Sequence, residues 1–123
     1  MVIHPLVVVV DDDESVRESL PDLLRQFGHA AQAFSSAEAF LMSQSVSEAR
    51  CLILDISMPG MSGLELQQEL TRTGREIPIV FITGGGDRSI RPRLIAAGAV
   101  ECLFKPFSEA ELCAAVTTAL SGS

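Results

Sequence analysis

The stretch Leu6-Val7-Val8-Val9-Val10-Asp11-Asp12-Asp13 joins a wholly apolar run to a row of acids. A run that is apolar at every position, rather than at every second one, is typical of a parallel strand covered on both faces. Cys51-Leu52-Ile53-Leu54 and Ile79-Val80-Phe81-Ile82 have the same character, and residues 30–34 and 99–103 are weaker candidates. We therefore expect five short strands in the interior of the protein.

Segments of helical length separate these strands, and four of them carry a Ser-x-x-Glu pattern at the start. The four patterns are Ser15/Glu18, Ser35/Glu38, Ser62/Glu65 and Ser108/Glu111. In a capping box of this kind the serine oxygen accepts from a free backbone N–H, and the glutamate accepts from the serine N–H. Each pattern therefore predicts a helix start.

Glycine and proline predict where helices end or begin late. Gly28, Gly74 and Gly98 each follow a helical segment, and glycine there allows the left-handed conformation that closes a helix. Pro92 predicts that the helix after the fourth strand either begins late, with the proline in its first turn, or is bent.

Strands and helices that alternate in this way predict an α/β fold with a parallel sheet covered by helices on both faces. Right-handed crossovers restrict the possible topologies. Five β-α units favour a flavodoxin-like (βα)5 doubly wound parallel sheet with strand order 2-1-3-4-5. We expect residues 1–123 to form this single domain, with no output domain among them.

Composition narrows the possible functions. The 123 residues include nine Lys+Arg and sixteen Asp+Glu, for a formal net charge of −7. This balance argues against nucleic acid or a membrane surface as a partner of the domain. The cysteines Cys51, Cys102 and Cys113 lie apart in apolar runs, which favours reduced core thiols in a cytoplasmic protein. No apolar run approaches the roughly 20 residues of a membrane span.

Polar residues end the predicted strands. Asp11 and Asp12 follow the first strand, Asp55 the third and Thr83 the fourth, while the fifth runs into Lys105, the one lysine of the chain. Ligands bind at this edge of doubly wound sheets. Three converging carboxylates call for a cation, and their oxygen atoms favour Mg²⁺. A hydroxyl and a lysine can hold a phosphoryl group. These residues together indicate a Mg²⁺-dependent phosphoryl site.

Two further groups of polar residues have more local interpretations. Asp13 by itself is better explained as a helix cap than as a metal ligand. Arg88, Arg91 and Arg93 form a basic cluster, which fits either a solvated helix face or part of a surface that contacts a partner.

The motifs resemble a known family. They are Val-Asp-Asp-Asp at 10–13, Leu-Asp-Ile-Ser-Met-Pro-Gly-Met-Ser-Gly at 54–63, Ile-Thr-Gly at 82–84 and Phe-Lys-Pro-Phe at 104–107. In this order and spacing the chain resembles the receiver domain of bacterial two-component response regulators. With Ser-Val-Arg-Glu-Ser-Leu at 15–20 it is most similar to the FixJ-like subgroup.

The resemblance implies a phosphoacceptor switch. Asp55 would take a phosphoryl group from a sensor histidine kinase or phosphotransfer protein. Asp11, Asp12, Asp55 and the backbone carbonyl of Ser57 would hold Mg²⁺. Thr83 and Lys105 would contact the phosphoryl group.

The resemblance also implies a cis peptide bond before Pro106. A homodimer or an output partner would use the fourth and fifth β-α segments. The domain would be cytoplasmic, would contact neither nucleic acid nor membrane, and would be a signalling switch that catalyses only its own phosphorylation and dephosphorylation.

Cys102 departs from the pattern of the family. An aromatic residue usually stands three positions before the lysine on the fifth strand, and in this chain the position is a cysteine. We expect Cys102 to be a small buried strand residue rather than a redox group. Signal output should then depend on the loop and helix after Thr83.

Two rival functions use the same residues. A phosphatase of the haloacid-dehalogenase type also forms an aspartyl phosphate, but it needs a second Asp two residues after the nucleophile, where this chain has Ser57. A pseudo-receiver would bind a partner without phosphorylation. The intact set of acids, Thr83 and Lys105 argues against it, whereas Cys102 leaves it open.

Overall fold

Five parallel strands form the centre of the molecule, which is described by a computed structural model covering residues 4–85 and 87–121. The strands are β1 (Leu6–Val10), β2 (Ala30–Phe34), β3 (Cys51–Asp55), β4 (Ile79–Thr83) and β5 (Glu101–Phe104). They pair in the order β2-β1-β3-β4-β5, and all four pairings are parallel. The predicted fold class and strand order are therefore confirmed.

The described residues contain six helices, one more than the sequence predicted. They are α1 (Glu14–Gln26), α2 (Ala37–Leu41), α3 (Ser45–Glu48), α4 (Gly63–Arg72), α5 (Ile90–Ala96) and α6 (Glu109–Ser121). The extra helix arises because the second helical segment is divided after α2. There Ser43 donates to the Phe40 carbonyl with both its N–H (3.0 Å) and its hydroxyl (2.7 Å). These bonds close α2 and allow α3 to begin separately.

Two of the four predicted capping boxes are present. Ser62 at the start of α4 and Ser108 before α6 each exchange both bonds with the glutamate three residues later. The capping boxes predicted at Ser15 and Ser35 were wrong. Asp13 caps α1 by accepting from the N–H of Ser15, and Ser36 caps α2 by accepting from that of Ala39. The chain leaves β1 and β2 in extended conformation up to these residues, so they hold the cap positions.

The other signals for helix ends behave as predicted. Gly28, Gly74 and Gly98 follow their helices with φ of +95°, +77° and +112°. Pro92 is the third residue of α5 and so lies in its first turn. The triple glycine before this helix is described only at Gly84 and Gly85, because Gly86 lies outside the described residues.

The helices form one layer on each face of the sheet. On one face, α1 and α6 cover alternate strand residues such as Val9 and Ile53. On the other, α2, α4 and α5 cover the intervening ones, such as Val10 and Leu54. Every residue of β3 is buried, including the acid that ends it. Double coverage explains why β1 and β3 are apolar at every position except that last one.

The three cysteines divide between the core and its margin. Cys51 and Cys102 are buried and free, as the sequence predicted. Cys113 on α6 is free but only partly buried, so the prediction of a core position was wrong for this residue. Cys113 lies outside the buried part of α6. The residues that this helix buries are Leu112, Ala115, Val116 and Ala119.

A close backbone contact joins the end of β3 to the start of α4. A Cβ atom placed on Gly63 would overlap the carbonyl oxygen of Asp55 and lie 3.1 Å from the Cα of Ile56. The N–H of Gly63 donates to the carbonyl of Ile56 at 3.0 Å. Only glycine allows this approach, which sets the path of the loop between them.

We expect the Gly63→Ala substitution to lower the free energy of unfolding by about 1–3 kcal/mol, because both crowded partners are backbone atoms that cannot rotate away. The matched control is Gly84→Ala, since a Cβ there meets nothing within 4 Å and should change stability by less than about 0.5 kcal/mol. Urea denaturation followed by far-UV circular dichroism measures both. Equal stability of the two variants would contradict the prediction.

Candidate functional site

The register of the sheet brings the polar strand ends together. Val10 of β1 lies beside Leu54 of β3, so the next residues, Asp11 and Asp55, are also neighbours. Further along, β3 pairs with β4 and β4 with β5, and the last pair of residues is Thr83 with Phe104. The polar residues predicted from the strand ends therefore share one edge, with β1 and β3 at the change in strand order.

The acids at this edge form one cluster. One carboxylate oxygen from each of Asp11, Asp12 and Asp55 lies within 4.8 Å of the others. Asp11 is fully buried, Asp55 is 7% exposed and Asp12 faces solvent. The cluster is thus buried on the side of the sheet and open on the other, as a site for an incoming ion or ligand must be.

Asp11 is fixed by several partners. Its N–H donates to the carbonyl of Phe34 on β2 at 3.1 Å, and its Oδ1 accepts from the N–H of Asp13 at 2.9 Å. Its carbonyl accepts from the guanidinium of Arg17 at 3.1 Å. Asp13 caps α1 instead of joining the cluster, as predicted.

Asp55 is held in an unfavourable environment for a negative charge. Its Oδ1 accepts from the N–H of Ser57 at 3.2 Å. Burial, followed by the charge of Asp11, raises the pKa of Asp55 from 3.8 to about 6, while the Ser57 N–H and Lys105 act in the opposite direction. Ionisation of both acids is unfavourable unless a further group stabilises their negative charges.

Lys105 supplies a positive charge to the cluster. Its Nζ lies 3.1 Å from Oδ2 of Asp11, and its backbone N–H donates to the carbonyl of Thr83 at 2.8 Å. The peptide bond between Lys105 and Pro106 is cis, as the resemblance implied. The lysine side chain is 27% exposed, so it can exchange Asp11 for another anionic partner at the rim.

Thr83 stands at the end of β4 and begins the loop to α5. Its Oγ1 accepts from the N–H of Gly85 at 3.1 Å. The hydroxyl is therefore engaged with the loop backbone, and the structure gives it no bond to an acid of the cluster.

Cys102 is buried in β5 with 2% of its surface exposed, in agreement with the prediction of a small strand residue. The neighbour of Thr83 on β5 is an aromatic residue two positions later, Phe104. The guanidinium of Arg88, in the turn before α5, lies 4.6 Å from the centre of that ring. An aromatic group does therefore lie next to Thr83, but it belongs to a different residue.

Two residues near the site were missed by the sequence reasoning. Arg17 reaches the carbonyl of Asp11, and Glu38 accepts from the N–H of Met61 in the loop after Asp55 at 3.1 Å. The Arg17 contact spans six positions across the start of a helix, a separation short enough to be predicted from the sequence. The Glu38 contact spans 23 positions and has no local signature.

The donor set fits a hard divalent cation. The side-chain donors are carboxylate oxygens, which Mg²⁺ prefers to nitrogen or sulfur. Burial and, after it, the charge of Asp11 raise the pKa of Asp55, and a cation beside the two acids would favour their ionised forms. The cluster thus has the chemistry that a bound Mg²⁺ requires.

The fold and this site together define a doubly wound α/β domain with an acidic cluster and a lysine at its ligand-binding edge. The family model of the response regulator receiver domain matches residues 7–117. The chain belongs to this family and is a receiver domain of the two-component response regulators, as its motifs indicated.

Similar proteins agree with this assignment. The response regulator protein TodT of Pseudomonas putida is 45% identical over 115 residues, which are 94% of this chain and 51% of that protein. The transcriptional regulatory protein FixJ of Azorhizobium caulinodans is 41% identical over 117 residues, covering 95% and 56%. A solved receiver protein from Burkholderia phymatum is 40% identical, with a TM-score of 0.82 and coverage of 94% of each chain. The chain spans about half the length of the curated relatives it matches.

Among the residues that the structure describes, none of the helices has both the length and the apolar character needed to cross a membrane.

In metal-free protein, we expect ionisation of Asp55 to oppose folding. Because its folded pKa of about 6 lies above the ordinary 3.8, the folded state keeps a proton that the unfolded state has already released. The contribution of Asp55 to stability therefore falls as the pH rises from about 4 through 6. Since asparagine cannot ionise, Asp55→Asn should become progressively more stable than wild type over this interval.

Urea denaturation in the presence of EDTA at several pH values between 4 and 7 measures this difference. A difference in unfolding free energy that stays constant across the interval would contradict the prediction.

Proposed function

We propose that Asp55 is the phosphoacceptor of a signalling switch, with a phosphohistidine of a sensor histidine kinase or phosphotransfer protein as the donor. The observation that carries the proposal is the cluster itself. Asp55 lies with Asp11 and Asp12 inside 4.8 Å, and Lys105 stands 3.1 Å from Asp11. Acids, hydroxyl and lysine at one edge are what phosphoryl transfer to a carboxylate requires.

In the reaction, a carboxylate oxygen of Asp55 forms a bond to phosphorus while the bond from phosphorus to the histidine nitrogen breaks. The electron pair of the broken bond remains on the imidazole, which takes up a proton from solvent. Phosphoryl transfer proceeds mainly by positioning and charge neutralisation. Only the ionised carboxylate is nucleophilic, and a pKa of about 6 leaves Asp55 largely ionised near neutral pH.

Asp11, Asp12, Asp55 and the backbone carbonyl of Ser57 would hold Mg²⁺. When bound, the ion neutralises charge that would otherwise repel the donor phosphate. Lys105 then leaves Asp11 and contacts a phosphoryl oxygen. Thr83 follows Ile82, the residue that pairs with Asp55. Its oxygen accepts from the N–H of Gly85, which leaves its own O–H available to donate to the new group.

This chemistry makes the domain a switch that modifies itself, and not an enzyme for a separate substrate. In a phosphatase of the haloacid-dehalogenase type, an Asp would stand at position 57, where this chain has an exposed serine. A pseudo-receiver would not need the Lys105–Asp11 pair at the cluster. These two observations favour a phosphoacceptor over a phosphatase or a pseudo-receiver.

The phosphoryl signal would leave through the region after Thr83. This region is tied to β5 by side chains: Arg91 binds both carboxylate oxygens of Glu101, at 2.6 and 3.0 Å, and Arg88 stacks on Phe104. A shift of Thr83 toward the phosphoryl group would pull the loop with Arg88 and the start of α5 with Arg91. A homodimer or output partner would read the change on the fourth and fifth β-α segments, in the cytoplasm, with no contact of this domain to nucleic acid or membrane.

Incubation with acetyl phosphate should add one phosphoryl group in a Mg²⁺-dependent manner, because Asp55 and Lys105 stand together at a cluster that needs a cation. Intact-mass measurement detects the adduct. It should be absent with EDTA and absent in Asp55→Asn, whereas the exposed-acid control Glu48→Gln should match wild type. Wild-type protein without an adduct in Mg²⁺ would favour the pseudo-receiver.

Binding of the phosphoryl mimic beryllofluoride should move residues 84–95 more than β5. We expect this because Cys102 has no ring to rotate, while Arg88 and Arg91 connect the loop and α5 to β5. Amide chemical shifts with and without the mimic measure the change, with Asp55→Asn as the control for additive effects. Shift changes confined to Cys102 and its neighbours would count against this route.

A further inference from the structure

The loop from β3 to α4 is anchored at its inner ends. The N–H of Ile56 donates to the carbonyl of Ile82 on β4 at 3.2 Å, and the N–H of Gly63 closes the loop onto the carbonyl of Ile56. Between these points, Met58 is buried with 8% exposure in the core beneath. The loop is thus attached to the sheet at its base.

The outer turn of the same loop has a different support. Pro59 and Gly60 are exposed, and the N–H of Met61 donates to Oε2 of Glu38 at 3.1 Å. Gly60 has φ of +74°, and a Cβ atom there would lie 2.6 Å from the same Oε2. The carboxylate therefore lies directly against the turn, where a Cβ atom at position 60 would displace it.

Glu38 lies on α2, a helix that packs closely against the sheet. Helix α2 buries Ala37 and Phe40 completely against the sheet. The side chain of Ser36 already caps this helix by accepting from the N–H of Ala39. Glu38 is consequently not needed for capping, the role that its spacing from Ser35 suggested, and it links the helix to the loop.

From these contacts we propose that Glu38 is a positioning residue for the phosphoryl site, an inference that rests on the function proposed above. The carbonyl of Ser57, the candidate metal ligand, lies between two bonded amides of the loop. The N–H of Ser57 is held by Asp55 at 3.2 Å, and that of Met61 is held by Glu38. With the outer bond removed, the loop samples more conformations and presents the Ser57 carbonyl for less of the time.

The test separates the hydrogen bond from the charge. Glu38→Ala removes both, whereas Glu38→Gln removes the charge and retains an amide oxygen that can accept from Met61. Glu48→Gln removes a comparable charge from α3, where the side chain is exposed. Amide chemical shifts in a MgCl2 titration give the dissociation constant and also report the Met61 N–H directly, which suits a protein without Trp or Tyr.

We expect Glu38→Ala to raise the dissociation constant for Mg²⁺ about fivefold, the effect of one lost hydrogen bond of ordinary strength. Glu38→Gln and Glu48→Gln should remain within about twofold of wild type by the same scale. The Met61 amide should exchange faster with solvent in Glu38→Ala alone. Urea denaturation should give nearly equal midpoints for all four proteins, which separates positioning from loss of fold.

A second measurement uses the close contact at Gly60. Gly60→Ala should weaken Mg²⁺ binding in the wild-type background, because its Cβ displaces the Glu38 carboxylate. In the Glu38→Ala background the same change should have less effect on binding, since no carboxylate remains to displace. The strain of an alanine at positive φ is common to both backgrounds and cancels in the comparison.

The outcomes distinguish the two proposals. Wild-type protein that neither binds Mg²⁺ nor accepts a phosphoryl group overturns the proposed function itself. Wild-type protein that does both, with Glu38→Ala unchanged in Mg²⁺ affinity, overturns the role of Glu38 alone. A loss as large in Glu38→Gln as in Glu38→Ala would assign the effect to charge and would also overturn it.

Discussion

The structure depends on one electrostatic conflict, the placement of Asp11 and Asp55 side by side at the buried edge of a parallel sheet. The pairing of Val10 with Leu54 makes the next residues of β1 and β3 neighbours. Both acids are almost completely buried, and burial and mutual repulsion each oppose the second negative charge. The raised pKa of Asp55 records that conflict.

The groups around the two acids reduce this conflict without removing it. Each carboxylate accepts a backbone N–H from the residue two positions later, Asp13 for Asp11 and Ser57 for Asp55. Lys105 adds a full positive charge, but it pairs with Asp11 and leaves Asp55 with the weaker partner. The remaining negative charge is what makes the edge receptive to a divalent cation. A phosphoryl group would add negative charge to the site, and the partly exposed Lys105 would pair with it.

Most of the fold could be predicted from the sequence, because continuous apolar runs identify strands buried on both faces and their ends define one edge. The failures were local. The capping boxes expected at Ser15 and Ser35 are absent, and α2 is capped by Ser36 and α1 by Asp13, since the cap falls where the chain leaves extended conformation. The sequence could not indicate the Glu38 contact, because that bond forms only after a helix and a distant loop have packed on the same face.

The strand ends identified the acids and Lys105 for the same reason, since register in a parallel sheet turns sequence position into proximity. What sequence spacing could not supply is the neighbour of Thr83. The family pattern directs attention to position 102, yet the register pairs Thr83 with Phe104.

Positions two apart on a strand share a face, so the ring of Phe104 lies on the same face as Cys102 but one step nearer the acidic edge. There it is covered by Arg88. Arg88 belongs to the loop that follows Thr83, so this loop covers the aromatic ring. Movement of that loop would therefore carry the arginine away from the ring and expose more of Phe104, without rotation of any side chain at position 102.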